Sequence, residues 1–163
     1  MLKKMYLLLL LLLVSFTGCS TESTLEQVSH EDNNKLQSEV LEADNDDLVK
    51  TVQEKMQLNL TKENVTDLLG NQYQKIKSSY DDSDMWRYDI GTKEGYQSPD
   101  DEYDTGDIQG LQNGSIQAQL FISWNEENRV RNYSIIYYDS NDSKVYDYRV
   151  FSDGGERVQA LTN

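Results

Sequence analysis

Reactive side chains are scarce in this 163-residue chain, which has one cysteine, Cys19, and one histidine, His30. A Ser-His-Asp or Cys-His arrangement has little scope on those counts, and a His-rich metal site has none. Carboxylates are the abundant reactive type, with 29 Asp+Glu against 15 Lys+Arg and a net charge of −14. They group as Asp81, Asp82 and Asp84, as Asp100, Asp101, Glu102, Asp104 and Asp107, and as Asp139 with Asp142. A calcium loop of the EF-hand type needs oxygen ligands at its first, third and fifth places, Gly at the sixth and Glu at the twelfth. Counting from Asp101 puts Tyr103 at the third place and Gln112 at the twelfth, and counting from Asp139 puts Lys144 at the sixth. Neither run fits, so the acids are expected to be solvated loop charges. A carboxylate-dependent hydrolase would need two acids held beside a common cleft. No Ser or Lys nucleophile motif and no Gly-rich phosphate cradle is present. The expectation is a non-enzymatic protein without cofactor or metal. Nucleic acid is excluded as a partner, because backbone affinity depends on Lys and Arg releasing counterions.

Cys19 is the exception, because of where it stands. Lys3 and Lys4 precede an apolar run from Met5 to Val14, followed by Ser15, Phe16, Thr17, Gly18 and Cys19. Charge, apolar core and small residues in that order form a secretory signal. An apolar stretch of about ten to twelve residues rises only about 15–18 Å as a helix, short of a hydrocarbon core of roughly 30 Å, so a permanent spanning helix is disfavoured. A cysteine directly after a small residue at the end of such a run resembles the lipobox of bacterial lipoproteins, with Phe16 where the family usually has a Leu-like aliphatic residue. The resemblance implies cleavage between Gly18 and Cys19, lipid on the Cys19 sulfur, and a membrane as partner. It places the protein on the extracytoplasmic face of a cell membrane. Read without it, Cys19 is an ordinary thiol behind a plain signal peptide or a short anchor.

Removing residues 1–18 takes away Lys3 and Lys4 and no acid, leaving 13 basic against 29 acidic side chains. Between Ser20 and Asp47 nine acids accompany a single Lys35 and few large apolar residues. Like charge with low hydrophobicity cannot bury enough surface to offset ordering entropy, so residues 19–46 are expected to be an extended acidic tether and 47–163 a small domain. His30 falls in the tether, as a solvated residue.

Within the domain, Leu48, Val49, Val52 and Met56 recur at helical offsets behind Asp44, Asn45, Asp46 and Asp47, which predicts a helix from about Asp47 to Gln57. Leu60, Thr61 and Val65 have the spacing of an N-cap inside a hydrophobic staple, and Gly70 ends the unit after Leu68 and Leu69. Trp86, Tyr88 and Ile90 alternate with Arg87 and Asp89, and Ile116 to Trp124 alternates likewise, so both predict half-buried strands. Val130 to Tyr138 and Lys144 to Phe151 complete a meander with short polar connections. The resulting fold class is α+β: two N-terminal helices on one face of a roughly four-stranded antiparallel sheet.

The run Leu60-Thr61, Val65, Leu69-Gly70 and then Trp86-x-Tyr88 resembles the opening of the SmpA/OmlA (BamE-like) lipoprotein domain, with Gln72 where a Pro commonly stands. The resemblance implies that fold; the residues that carry it are a cap, a staple, a terminator and core aromatics.

Two features remain for function. Residues Gly91 to Ser115 lack periodicity and hold five of the nine glycines, with Tyr96 and Tyr103 among them. Such a loop is either a contact surface or disordered. Tyr133, Tyr137, Tyr138, Tyr146 and Tyr148 crowd the last predicted hairpin, either as good strand residues or as an aromatic binding face. The functional expectation is a lipid-anchored interaction module with an unidentified protein partner; the alternative is a domain that binds cell-wall glycan or a small ligand.

Overall fold

The computed structural model describes residues 45–163, with side chains from Leu48 onward. The signal segment, Cys19, His30 and the tether up to residue 44 lie outside the described residues. Helix α1 spans Asn45–Lys55, so it begins two residues inside the stretch assigned to the tether. Its apolar positions Leu48, Val49 and Val52, with Met56 just past its end, are all buried. Helix α2 spans Lys62–Leu69 and has the predicted cap. The Thr61 hydroxyl accepts from the Asn64 amide at 3.1 Å, and the Asn64 side-chain oxygen accepts from the Thr61 amide at 3.1 Å. Val65 is fully buried. Gly70 follows at φ +79°, ψ −175°, a conformation that costs an L side chain strain and a glycine almost none.

Six strands form one antiparallel sheet in sequence order: β1 Gln74–Lys77, β2 Asp84–Ile90, β3 Ala118–Trp124, β4 Val130–Asp139, β5 Lys144–Val150 and β6 Glu156–Ala160. The four predicted strands are β2 to β5, and the edge strands β1 and β6 correct the expected count. Side chains alternate between faces, so registers such as Tyr88↔Leu120, Leu120↔Ile135 and Ile135↔Tyr148 run one apolar row across four strands. That face carries Trp86, Tyr88, Leu120, Ile122, Tyr133, Ile135 and Tyr148, and it packs under α1 and α2 as the larger core.

The opposite face is covered as well, which corrects two expectations. The segment after β2 is ordered and contains a short third helix, α3, at Ile108–Gln112. Leu111 and Ile116 pack there with Ile76, Met85, Phe121, Ile136 and Val145 in a second cluster. Helices therefore lie on both faces, and β3 is buried at every position instead of half-buried.

Of the tyrosines in the β4–β5 hairpin, Tyr133 and Tyr148 belong to the larger core with Tyr137 packed against it, and Tyr138 packs against the second cluster. Tyr133 and Tyr148 are 4% and 5% exposed, so they offer no open aromatic face. The Tyr133 hydroxyl donates to the Met56 carbonyl at 3.1 Å, and Tyr88 donates to the Gly70 carbonyl at 3.0 Å, fastening the helices to the sheet by the polar ends of core rings. Tyr137 and Tyr146 are register partners with ring centroids 5.9 Å apart.

Burial raises the phenol pKa of Tyr88 and Tyr133 above the ordinary 10.0 and pushes Tyr148 up to about 12. The unfolded chain then releases protons that the folded one keeps, so the stability these groups confer is complete below pH 10 and is lost as pH rises towards 12. Alkaline titration followed by phenolate absorbance and circular dichroism is expected to show part of the tyrosine signal appearing only as the fold is lost; complete ionisation with an unchanged dichroism spectrum would contradict this.

Candidate functional site

The acidic groups singled out in the sequence are distributed over separate turns and are used locally. Asp81 accepts from the Ser83 hydroxyl at 2.6 Å and pairs with Arg131 at 3.1 Å. The Ser83 hydroxyl foremost, with Ser78 and Arg131, holds its carboxyl well below the usual carboxylate range. Asp84 pairs with Lys77 at 2.6 Å across the β1–β2 hairpin. Asp139 and Asp142 accept from the backbone amides of Asn141 and Lys144 in the β4–β5 turn. Among the described residues no group of three or more His, Cys, Asp or Glu is placed to hold a metal ion.

Asp107 is different, because it belongs to a buried polar network under the second face. It caps α3, accepting from the Gly110 amide at 2.8 Å and from the Tyr96 hydroxyl at 2.7 Å. That bond to the carboxylate foremost raises the Tyr96 pKa. The Asp107 amide donates to Gln119 Oε1 at 2.7 Å, and Gln119 Nε2 donates to Asp89 Oδ1 at 2.7 Å. Asp89 lies 3.3 Å from Arg87 Nε, and Arg87, only 1% exposed, also donates to the Pro99 carbonyl at 3.1 Å. The chain thus uses a charged strand pair to hold down the loop that covers it. A Cβ at Gly110 would stand 2.4 Å from Asp107 Oδ2 and 2.6 Å from the Tyr96 hydroxyl, so this close approach needs glycine.

Beside the network opens a polar cleft of about 380 Å³ lined by Gln74, Asp89, Thr92, Tyr96, Gln97, Ser98 and Asp100. Asp89 is already engaged by Arg87 and Gln119 on its inner side. The cleft offers hydroxyls, amides and carboxylates but no activated nucleophile, and its arrangement is that of a polar depression on the loop.

The two sheet edges differ more sharply than the two faces. At β1 the outward amide of Lys77 donates to the Glu102 carbonyl at 2.7 Å, and Tyr103 makes a parallel bridge to the same strand. That edge also presents Lys75 and Lys77, and a lysine on an edge discourages strand addition. At β6 all five residues are exposed. Bonds from Leu161 N to Val145 O at 2.7 Å and from Phe151 N to Gly155 O at 2.8 Å fix which β6 groups face β5. With the register Arg149↔Arg157 and Asp147↔Gln159, Arg157 and Gln159 bond inward, and the N–H and C=O groups of Glu156, Val158 and Ala160 point away from the sheet. Val158 is 57% exposed, and Phe151 and Leu161, before and after the strand in the chain, are exposed as well. Inward of the edge, Asp147 is buried and lies 3.2 Å from Arg149 and 3.9 Å from Arg157. Burial foremost raises its carboxyl pKa, with the two arginines opposing. The sequence reading missed this edge; the one available signal was Arg157-Val158-Gln159, a short polar and apolar alternation after the turn glycines Gly154 and Gly155.

No protein-family model, no curated protein and no solved structure matches this chain.

Truncating Asp89 leaves a buried guanidinium uncompensated, and removing one partner of such a pair costs about 3–5 kcal/mol, whereas replacing both partners with apolar groups is often close to neutral. Urea denaturation is expected to show Asp89→Ala much less stable than wild type and the double variant Arg87→Met/Asp89→Ala more stable than Asp89→Ala alone. Additive losses would show that the pair does not act as a unit.

Proposed function

We propose that this protein is a lipid-anchored lipoprotein of the extracytoplasmic membrane face that acts as a non-enzymatic protein-interaction module. The observation that carries the interaction half is the edge of β6, which no other described strand pairs, with outward backbone groups at Glu156, Val158 and Ala160 and with Val158 exposed. Strand addition to such an edge supplies main-chain hydrogen bonds for affinity and alternating side chains for specificity. The anchoring half is supported by the order Lys3-Lys4, apolar run, Gly18 and Cys19. Among the described residues no helix is long and apolar enough to cross a membrane. Two acyl chains on one cysteine would hold the chain stably, since each buried CH₂ adds about 0.8 kcal/mol. The SmpA/OmlA (BamE-like) resemblance of Leu60-Thr61, Val65, Leu69-Gly70 and Trp86-x-Tyr88 is retained as the proposed family reading.

Metabolic labelling with a fatty-acid probe tests the anchor. Wild type is expected to carry the label and sediment with membranes, and Cys19→Ala to lose both. A native polypeptide that begins at another residue, or an unmodified Cys19 by mass spectrometry, would remove the membrane part of the proposal.

A further inference from the structure

The open edge also has a register that selects its occupant. Only a partner strand whose own outward groups meet those of Glu156, Val158 and Ala160 completes the ladder. For a second β6 running antiparallel, that condition admits few alignments, and charge decides among them. An alignment that sets Glu156 against Glu156 or Arg157 against Arg157 places like charges directly opposite, which is destabilising. An alignment centred beyond Val158 leaves Glu156 to face Thr162, outside the strand. The alignment centred on Val158 sets Glu156 against Ala160, Arg157 against Gln159 and Val158 against Val158. It opposes no like charges, matches every outward group of the strand and covers the exposed valine with its own copy.

We propose that β6 pairs antiparallel with β6 of a second copy of this chain about a two-fold axis at Val158, joining the two sheets into one. The inference rests on the reading of β6 as the interaction edge and names its partner. The contact is isologous, so it closes at a dimer and leaves no further free β6 edge. At β1 the Glu102 to Tyr103 segment occupies the outward side of Lys77, and Lys75 places a further lysine on that edge. A dimer through β6 is therefore an end point and not the start of a fibre.

Disulfide trapping in membranes from cells making the full chain tests this. Val158→Cys places two thiols at the axis, where paired Cα atoms lie about 5.5 Å apart and within disulfide reach. Arg157→Cys places them on a diagonal about 7–8 Å apart, out of reach. Mild oxidation is expected to give a covalent dimer from Val158→Cys, little from Arg157→Cys and none from wild type, whose Cys19 is capped by lipid. Val158→Lys sets like charges at the axis and is expected to return the detergent-solubilised chain from dimer to monomer mass with its circular dichroism spectrum retained, because the residue 158 backbone makes no bond to β5. Cross-linking of wild type would indicate a free Cys19 and count against the anchor alone. A silent Val158→Cys beside a silent wild type, equal trapping at both positions, or a Val158→Cys adduct to a different protein would overturn the self-pairing.

Discussion

A strand at the end of a sheet leaves half its backbone donors and acceptors without a strand partner, and side chains cannot hide them. This molecule treats its two edges unequally. The β1 edge is short, carries lysines and is bridged by the Glu102 to Tyr103 segment. Among the described residues nothing bridges the β6 edge, and the strand itself holds no lysine. The faces, by contrast, are both closed, one under α1 and α2 and the other under α3 and its flanking loop. With both faces covered and β1 bridged at Lys77, the proposed interaction falls on a single line of backbone groups at β6.

The second face is closed by unusual means for a small acidic domain. Arg87, Asp89, Gln119 and Asp107 form one connected set reaching from the middle of the sheet to the first turn of α3. Its bonds from Asp107 through Gln119 to Asp89 favour one loop placement, because another placement breaks them in a buried setting, where Arg87 Nε already makes no hydrogen bond. The cleft at Gln74, Asp89 and Ser98 lies between the sheet and the loop so placed.

Much of the first face was legible in the residues. Thr61 with Asn64, Val65 and Gly70 act locally, so the α2 unit can be read without its surroundings. The alternation in β2 and β3 likewise identified the strands, whose Trp86, Tyr88, Leu120 and Ile122 all lie in the larger core. The second face was hidden for a physical reason. Arg87, Asp89 and Gln119 alternate as solvent-facing residues do, and only contacts over long separations, such as Gln119 to Asp89, show that they are buried. A polar residue satisfied by a distant partner has the same period as one satisfied by water. The edge strands were missed because Gln74–Lys77 and Glu156–Ala160 pack on one neighbour only and need little apolar patterning. Of the functional residues singled out, Cys19 lies outside the described residues, and the β6 edge becomes visible only through the parity of its hydrogen bonds to β5.

The most direct measurement is residue-resolved amide hydrogen exchange of β6, with the chain at high density on a bilayer and again dispersed. The account predicts that Arg157 and Gln159 are slow in both states, while Glu156, Val158 and Ala160 exchange freely when dispersed and become slow at high density. Fast exchange at those three amides at every density, with Arg157 and Gln159 still protected, would show that the edge stays unpaired and would contradict the account.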